Sequence, residues 1–505
     1  MKPYTKQDIE TIYLDFIQSA QINYIKNRID DALKDIITAS SWAYNFNHIY
    51  CDPEAENLLK QIGNRSIETK SIETPMKDRC VLIDSFLLDN RGLSQQYLRA
   101  MMANDMHILV IYTNAGGEIG RETLAEINSY EKAHVVTFPK GVDRIEETQQ
   151  IVCDIIDFKP AHIFLHLTPW DVVALMACNA IKDTIIYNIN LTDHAFWLGA
   201  SFINYSIEFR PRGMTISLEK RNLENSQLVH LPYYAILPIN SNFQGFPSIP
   251  KDSIKVFTGG AIYKMLGAGN LFFKIMDGIL DLSPKVYILV AGFKNDSRFV
   301  EQQIKMRNAD RVLLIGIRND IDAVFDNIDI YLNTYPLGGG LMMQYAAQKG
   351  KPILALRDKK NITCTIEEII NPDGSPEISV KSFTDIDEML EYARKLIFDK
   401  EFFRKESCYI KEGLMTSETF NYLFSELIHG KSLFRGWKTV TNINYDYIFD
   451  CNLERENNCG YKATQALISL QKLKVLMKVT IKKSNIIEAF LLKLKSIILR
   501  SLKII

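Results

Sequence analysis

The sequence predicts an α/β protein: two doubly wound domains in series, preceded by a helical region and followed by a basic amphipathic helix. Three observations carry this. Short β-branched apolar runs alternate with helical stretches, as a parallel sheet covered on both faces requires. The alternation breaks at a polar stretch holding Pro238, Gly245, Pro247 and Pro250, then begins again. The chain has 505 residues, 47% of them hydrophobic, enough for about three structural units at roughly 100–200 residues per domain.

Residues 1–75 show helix-period apolar spacing, at Ile9, Ile12, Tyr13, Phe16 and Ile17 and again at Leu33, Ile36 and Ile37. No internal period marks them as a repeat array. Residues 76–248 form the first Rossmann-like domain, with strands expected at 80–86, 107–112, 134–138, 162–167 and 184–190. Residues 249–432 form the second, with strands at 254–258, 285–292, 311–317, 329–334 and 351–356, and a helical stretch over 383–429 that finishes it. Two such domains are expected to face a cleft between the carboxyl ends of their strands, where ligands of these sheets bind.

Residues 433–505 form a C-terminal extension. Within 472–505, Lys472, Lys474, Lys478, Lys482, Lys483, Lys493, Lys495, Arg500 and Lys503 stand against the single acid Glu488, interleaved with Ile486, Ile487, Phe490, Leu491, Leu494, Ile497, Ile498 and Leu502. That spacing gives one apolar helical face, along which lysine stems can lie with their ammonium groups outward. It reads as an in-plane helix on an anionic membrane surface; a helix docked on the catalytic domains or on a partner is the alternative.

Lys plus Arg (59) nearly balances Asp plus Glu (60), which argues against a dedicated nucleic-acid binder. The eight cysteines, among them Cys364 and Cys459, are scattered without CxxC pairs or zinc-ligand spacing. The N-terminus has no apolar targeting run, and no apolar run reaches the ~18 residues that span a bilayer. The expected location is cytoplasmic, peripheral on the inner face of the cytoplasmic membrane.

Four stretches could carry chemistry. In Tyr331-Leu-Asn-Thr-Tyr-Pro-Leu-Gly-Gly-Gly340 a strand leads through glycines into a helix, so backbone N–H groups at Gly338, Gly339 and Gly340 can approach a diphosphate with no Cβ in the way. Tyr335, Pro336 and, within the helix, Gln344 join this donor-side set. The strand 254–258 ends in Thr258, Gly259 and Gly260, followed by Tyr263 and Lys264; a lysine there can neutralise a departing diphosphate in place of a metal ion. Gly316, Ile317 and Arg318 follow another strand, where a nucleobase could lie against backbone, although a plain helix N-cap explains Asn319 and Asp320 equally well. After what reads as the last strand of the first domain comes Thr192-Asp193-His194. An imidazole there suits removal of a proton from an acceptor hydroxyl; Asp193 could be the base instead, or the pair could be a cap and a packing histidine. Asn90, Arg91, Gly92 and Trp170 follow other strands of that domain and are candidates for lining an acceptor site.

Together, Tyr263-Lys264, the Asn333-Thr-Tyr-Pro-Leu-Gly-Gly-Gly turn and Gly350-Lys-Pro-Ile353 resemble the O-GlcNAc transferase superfamily, and within it the bacterial cytoplasmic N-glucosyltransferases that modify adhesins. The resemblance spans residues 160–430. It implies a GT-B fold and transfer of a sugar from a nucleotide donor, with no cofactor and no metal. It assigns diphosphate contacts to Lys264 and Gly338–Gly340, and a possible base to His194. One departure stands out: where that superfamily has an Asp or Glu five residues before the glycine of Gly-x-Pro, this chain has Tyr345, beside Gln344. The expected function is therefore transfer from a nucleotide sugar, a UDP-sugar first, to a saccharide, lipid-linked saccharide or protein acceptor, with inversion. A catalytically inactive scaffold that activates a partner transferase is the alternative from another class, and a sugar epimerase would need cleft carboxylates that the sequence does not place.

Overall fold

The structure, a computed structural model, describes residues 3–238, 242–294, 296–360, 366–371, 381–430, 443–458, 461–471, 473–476, 479–481 and 483–501. Lys472, Lys478, Lys482, Leu502 and Lys503 of the basic tail, with Cys364 and Cys459, lie outside these residues. The chain divides into two compact units. One comprises Met1–Leu231, Ser417–Thr441 and Tyr445–Ile505, the other Pro232–Thr416 and Asn442–Asn444.

The first unit holds a seven-stranded parallel sheet: β1 Met76–Asp84, β2 His107–Tyr112, β3 Ala133–Thr137, β4 Pro160–His166, β5 Ile185–Ile189, β6 Tyr205–Glu208 and β7 Leu228–His230, in the order β3-β2-β1-β4-β5-β6-β7. The central strands are apolar on both faces because helices cover both sides; in β1, Cys80 to Asp84 are all buried. Strand β5, which reads as the last of this sheet, is followed by two more. Their pattern was hidden by burial of the wrong residue types: Ser206 and Glu208 of β6 are fully buried yet read as polar surface.

Three helices precede the sheet: α1 Lys6–Ile25, α2 Ile29–Phe46 and α3 Pro53–Ser66. Thr5 and Asp8 form a capping box at the start of α1, and Asp52 with Pro53 starts α3. These helices do more than cover an apolar face. The Glu56 carboxylate, 2% exposed, accepts the backbone N–H groups of Gly199 (2.7 Å), Ala200 (2.8 Å) and Ser201 (2.8 Å). The Asn47 side chain donates to the His194 carbonyl (3.3 Å) and accepts from the Phe196 N–H (3.3 Å). The segment after β5 is thereby held from the N-terminal side.

Two expectations about the C-terminal part change. Helix Ser417–Ile428, expected to finish the second domain, packs instead on the first unit, where Phe420 and Phe424 lie 5.3 and 6.0 Å from the Tyr97 ring and Phe424 lies 5.2 Å from Phe164. The region expected as a separate extension is interlocked with the N-terminal helices: Tyr4 pairs with Thr464 (3.0 Å), and the Gln471 amide donates to Asp35 (3.0 Å) and Thr38 (2.7 Å).

The second unit is a five-stranded parallel sheet: β8 Ile254–Gly259, β9 Val286–Ala291, β10 Val312–Gly316, β11 Ile330–Leu332 and β12 Ile353–Leu354, in the order β10-β9-β8-β11-β12. Its core lies on both faces, with Phe272, Met276 and Ile279 on one and Phe257, Phe325 and Tyr331 on the other.

Replacing Glu56 with Ala leaves three N–H groups without this acceptor, those of Gly199 and Ala200 buried and that of Ser201 partly so. At about 1–3 kcal/mol for a buried group left unpaired, partly relieved by water, the expected loss is about 2–4 kcal/mol, read as a lowered urea midpoint for the first unit.

Candidate functional site

In the second unit three strand ends are drawn together through glycines. The Gly260 N–H donates to the Ala291 carbonyl (3.2 Å) and the Gly292 N–H to that of Gly316 (2.9 Å). Gly292 has φ 113°, and a Cβ on it would collide with the Gly260 carbonyl, so only glycine permits this approach. Gly316 has φ 73° and open space where a side chain would be; the next residue, Ile317, is 56% exposed, so the backbone there is accessible to a flat ligand.

The Lys264 stem runs past Gly260. A Cβ at Gly260 would sit 3.6 Å from Lys264 Cδ and 3.7 Å from Thr334 Cγ2. The turn after β11 is braced from inside: Asn333 Oδ1 accepts the Gly339 N–H (2.9 Å), and the Thr334 hydroxyl donates to the Leu337 carbonyl (2.6 Å). The Leu337 N–H donates to the Lys264 carbonyl (3.4 Å), and the Tyr335–Pro336 bond is cis. Helix Gly340–Gln348 then starts at Gly339, which has no side chain of its own with which to cap the first turn, so the positive end of the helix dipole is not met by an N-cap side chain. Beneath the turn, the Asn333 amide nitrogen, the Thr258 hydroxyl and the Tyr331 hydroxyl are buried without a hydrogen-bond partner. Burial pushes the Tyr331 phenol upward, so it stays protonated and able to donate. Lys264, Gly260 and the turn 333–340 are thus brought together, with Tyr335 buried and Pro336 and Gly338 half-buried within that turn.

Two donor candidates have side chains engaged within the unit. The Arg318 guanidinium, its side chain 4% exposed, is consumed by a two-point ion pair with Asp320 (2.7 and 2.6 Å) and a bond to the Gly245 carbonyl (2.7 Å), and it lies over Phe243 and Phe246. Gln344 is buried and donates to the Tyr233 carbonyl (3.3 Å), while Tyr345 donates to Ile236 (3.0 Å) and Gln348 to Ala235 (2.6 Å). This helix therefore uses Gln344, Tyr345 and Gln348 to hold the segment entering the unit.

In the first unit, the segment after β5 rests on a buried ionic network. Arg210 donates to both Asp193 oxygens (2.5 and 2.9 Å). Glu208 accepts from Asn190 (2.9 Å to each oxygen), Ser206 (2.9 Å) and Ser217 (2.7 Å). Arg221 donates to the Asp193 and Ala195 carbonyls (2.9 and 2.7 Å). Burial alone would raise the Asp193 carboxyl; the Arg210 guanidinium, with help from His194, outweighs it and holds the group well below the usual carboxylate range. A carboxylate so placed is a poor proton acceptor, which counts against Asp193 as base. His194 is half-exposed, with Nδ1 3.4 Å from Asp193 Oδ1.

The acceptor-side candidates scatter. Asn90 is held by its own loop, its N–H donating to Gln95 (2.6 Å) and its amide to Glu122 (3.0 Å); Arg91 is exposed. Gly92, φ 70°, lies against His166 and Leu191, whereas Trp170 packs edge-on against Tyr44 at 5.7 Å. Gly92 thus lies beside Leu191 of the 188–194 segment. Not anticipated were the brace that Asn333 and Thr334 form inside the turn, the close backbone approach at Gly292, and the buried pairing of Asp84 with His166. Among the described residues no cluster of His, Cys, Asp or Glu could hold a metal ion.

No protein-family model matches the chain, and a search of curated proteins finds no match. Solved structures do match. An O-GlcNAc transferase mutant from Thermobaculum terrenum aligns at TM-score 0.51 and 14% identity over 88% of this chain and 85% of that one. A glycosyltransferase from Rickettsia africae aligns at 0.51 and 10% over 69% and 97%, and the lipopolysaccharide outer core galactosyltransferase WaaB at 0.50 and 11% over 70% and 99%. At these identities the likeness is one of fold: the chain has a GT-B glycosyltransferase-like fold.

Asp193 contributes stability that is complete above the unfolded carboxylate value of about 3.9 and drains as pH falls below it toward the depressed folded value. Asp193→Asn strands a buried guanidinium. Urea unfolding at pH 7 should show a loss of about 3–5 kcal/mol, and the gap to wild type should narrow as the pH is lowered to 3.

Proposed function

We propose that the protein transfers a sugar from a nucleotide-sugar donor, a UDP-sugar foremost, to a saccharide, lipid-linked saccharide or protein acceptor, with inversion and without a metal ion. The observation that supports this best is the convergence in the second unit of the Lys264 stem, the Asn333-braced glycine turn and an uncapped helix start. A diphosphate at that helix end would meet backbone N–H groups in place of a metal's charge, with the Lys264 ammonium to balance the negative charge that develops as it leaves. The nucleobase is assigned to the accessible backbone at Gly316 and Ile317. The acceptor hydroxyl is assigned to attack the anomeric carbon with loss of its proton to an imidazole, for which His194 is the solvent-facing candidate.

A second reading, an inactive scaffold that activates a partner transferase, is favoured by one observation: the position where the resembled superfamily carries a carboxylate is Tyr345, whose hydroxyl is spent on the Ile236 carbonyl. Calorimetry against UDP, GDP, CMP and their sugar conjugates separates the readings. One nucleotide should bind equally with and without EDTA, Lys264→Ala should weaken it roughly 10–100-fold, as loss of a charge-assisted contact implies, and nucleoside diphosphate should be released slowly from the sugar conjugate. Binding without release would favour the scaffold, and binding of none would remove the donor-site assignment.

We also assign the protein to an anionic membrane surface, in bacterial surface glycan assembly or protein glycosylation, through helix Lys483–Ser501. Its inner face is docked: Asn485, Ile486 and Ala489 are buried and Lys493 pairs with Ser469. Its outer face exposes Ile487, Phe490, Leu491, Leu494, Ile497 and Ile498, flanked by Lys483 and Lys495. No helix among the described residues is long and apolar enough to cross a membrane. Such a stripe lies in the headgroup plane, with about 1 kcal/mol per nearby basic residue. The protein should sediment with vesicles containing phosphatidylserine and not with purely zwitterionic ones, and Leu491→Glu with Ile498→Glu should lower partitioning at least about tenfold.

A further inference from the structure

The first unit carries a pocket of its own, at the carboxyl ends of β4 and β5. Leu165, Leu175, Leu198 and Ile203 give it aliphatic walls, and of the described residues that line it none is charged. Two polar side chains of the lining are nearly fully buried and incompletely paired. Asn190, 2% exposed, donates to both Glu208 oxygens (2.9 Å each). Those two bonds fix which way the amide faces, so its Oδ1 can only accept, and that oxygen is buried with no hydrogen-bond partner. Trp197, 5% exposed, has its ring beneath the Arg221 guanidinium (5.4 Å), and its Nε1–H is likewise buried with no acceptor.

Leaving a donor and an acceptor unpaired in one buried pocket is costly, and a single hydroxyl can relieve both, accepting from the indole N–H and donating to the amide oxygen. A charged group would find no counter-ion in this lining. The enclosed depth has room for roughly two non-hydrogen atoms, a methylene and its hydroxyl. Beside it the half-buried Thr168, Asn188 and Thr192 add neutral hydrogen-bonding groups of the kind that the ring hydroxyls of a sugar need. The walls are set in advance: Glu56 holds the backbone N–H groups of Gly199 and Ala200, and Arg221 holds the carbonyls of Asp193 and Ala195. A ligand therefore pays little to order the site.

We propose that this pocket binds the hydroxymethyl group of an uncharged hexose. The methylene lies against the aliphatic walls, and the hydroxyl accepts from Trp197 Nε1–H and donates to Asn190 Oδ1. The site is complete within the first unit. That the hexose belongs to the acceptor rests on the reading of the protein as a nucleotide-sugar transferase; on that reading the acceptor narrows to a saccharide, free or lipid-linked, that presents a neutral hexose. A serine side chain brings the same hydroxymethyl group but no ring hydroxyls for Thr168, Asn188 and Thr192, which favours the sugar.

The test is saturation-transfer NMR on the full chain without nucleotide, using methyl hexosides of the gluco, galacto and manno series and their 6-deoxy counterparts. At least one hexoside should bind saturably, with its C6 protons receiving the largest transfer. Its 6-deoxy counterpart should bind at least about fivefold more weakly, because it leaves both buried groups unpaired. Trp197→Phe, which keeps an aromatic ring and removes the N–H, should weaken the hexoside roughly three- to tenfold, as loss of one neutral hydrogen bond implies. Equal binding of the 6-deoxy sugar overturns the proposal. So does the absence of saturable binding by any hexoside, which leaves the pocket to a water molecule, and so does a serine peptide that binds there when hexosides do not. Should Trp197→Phe fail to fold, the 6-deoxy comparison on wild type decides alone. Calorimetry with nucleotide sugars on the same preparation keeps the two readings apart: nucleotide binding without hexoside binding removes this site and leaves the transferase reading, and hexoside binding without nucleotide binding does the reverse.

Discussion

Two carboxylates, Asp193 and Glu208, and two guanidiniums, Arg210 and Arg221, lie buried beneath the segment that follows β5. Withdrawing each from water costs several kcal/mol, and the arrangement persists only because the partners are nearly complete. Asn190, Ser206 and Ser217 complete the shell of Glu208, while Arg221 donates to the Ser217 hydroxyl and to two backbone carbonyls of the segment above. Gly213 lies beside this cluster, where a Cβ would press on Glu208 and Asp193. The backbone from Asn190 to Ser201 is thus fixed from below by charge and, through Asn47 and Glu56, from the N-terminal side. Burial here secures position rather than net stability.

The second unit reaches the same end by a different route. Its strand ends approach through glycines, and its turn is braced by neutral side chains, with few charges committed. Asn333 accepts from Gly339 at the helix start, so the amide that shapes the turn also fixes where the backbone N–H groups sit. Preorganised dipoles of this kind need no reorganisation when negative charge arrives. Lys264 is tied to the same turn through its backbone carbonyl, which couples its placement to that of the glycines.

Much of the architecture was legible because continuous β-branched runs and a Pro-rich break are strong signals; His107–Tyr112 is recovered residue for residue. Strands β6 and β7 were not, because β6 spends half its length on buried polar groups and β7 has only three residues. The return of helix 417–428 to the first unit was likewise invisible, since an apolar helical face does not declare which core it meets. At the site, the glycine turn and Lys264 were readable from local spacing, and the structure brings them together. That Arg318 meets Asp320 and Gln344 a backbone carbonyl was not legible, because a polar side chain near a strand end or helix start looks the same whether it meets ligand or carbonyl. Asp84 and His166, 82 residues apart, needed the strand order before they could be recognised as a pair.

Because residues 461–471 interlock with α1 and α2, the first unit is complete only after segments on either side of the second have been made. The second unit is nearly continuous, so it can close as soon as its own residues emerge from the ribosome. The first unit has its sheet and N-terminal helices synthesised early, but the helices that cover Tyr97, Phe164 and the faces of α1 and α2 arrive only after the whole second unit has been translated, a delay of tens of seconds at most at about 5–20 residues per second. For that interval an open apolar surface is held by an incomplete partner, and biogenesis favours a chain whose middle folds before its beginning is finished.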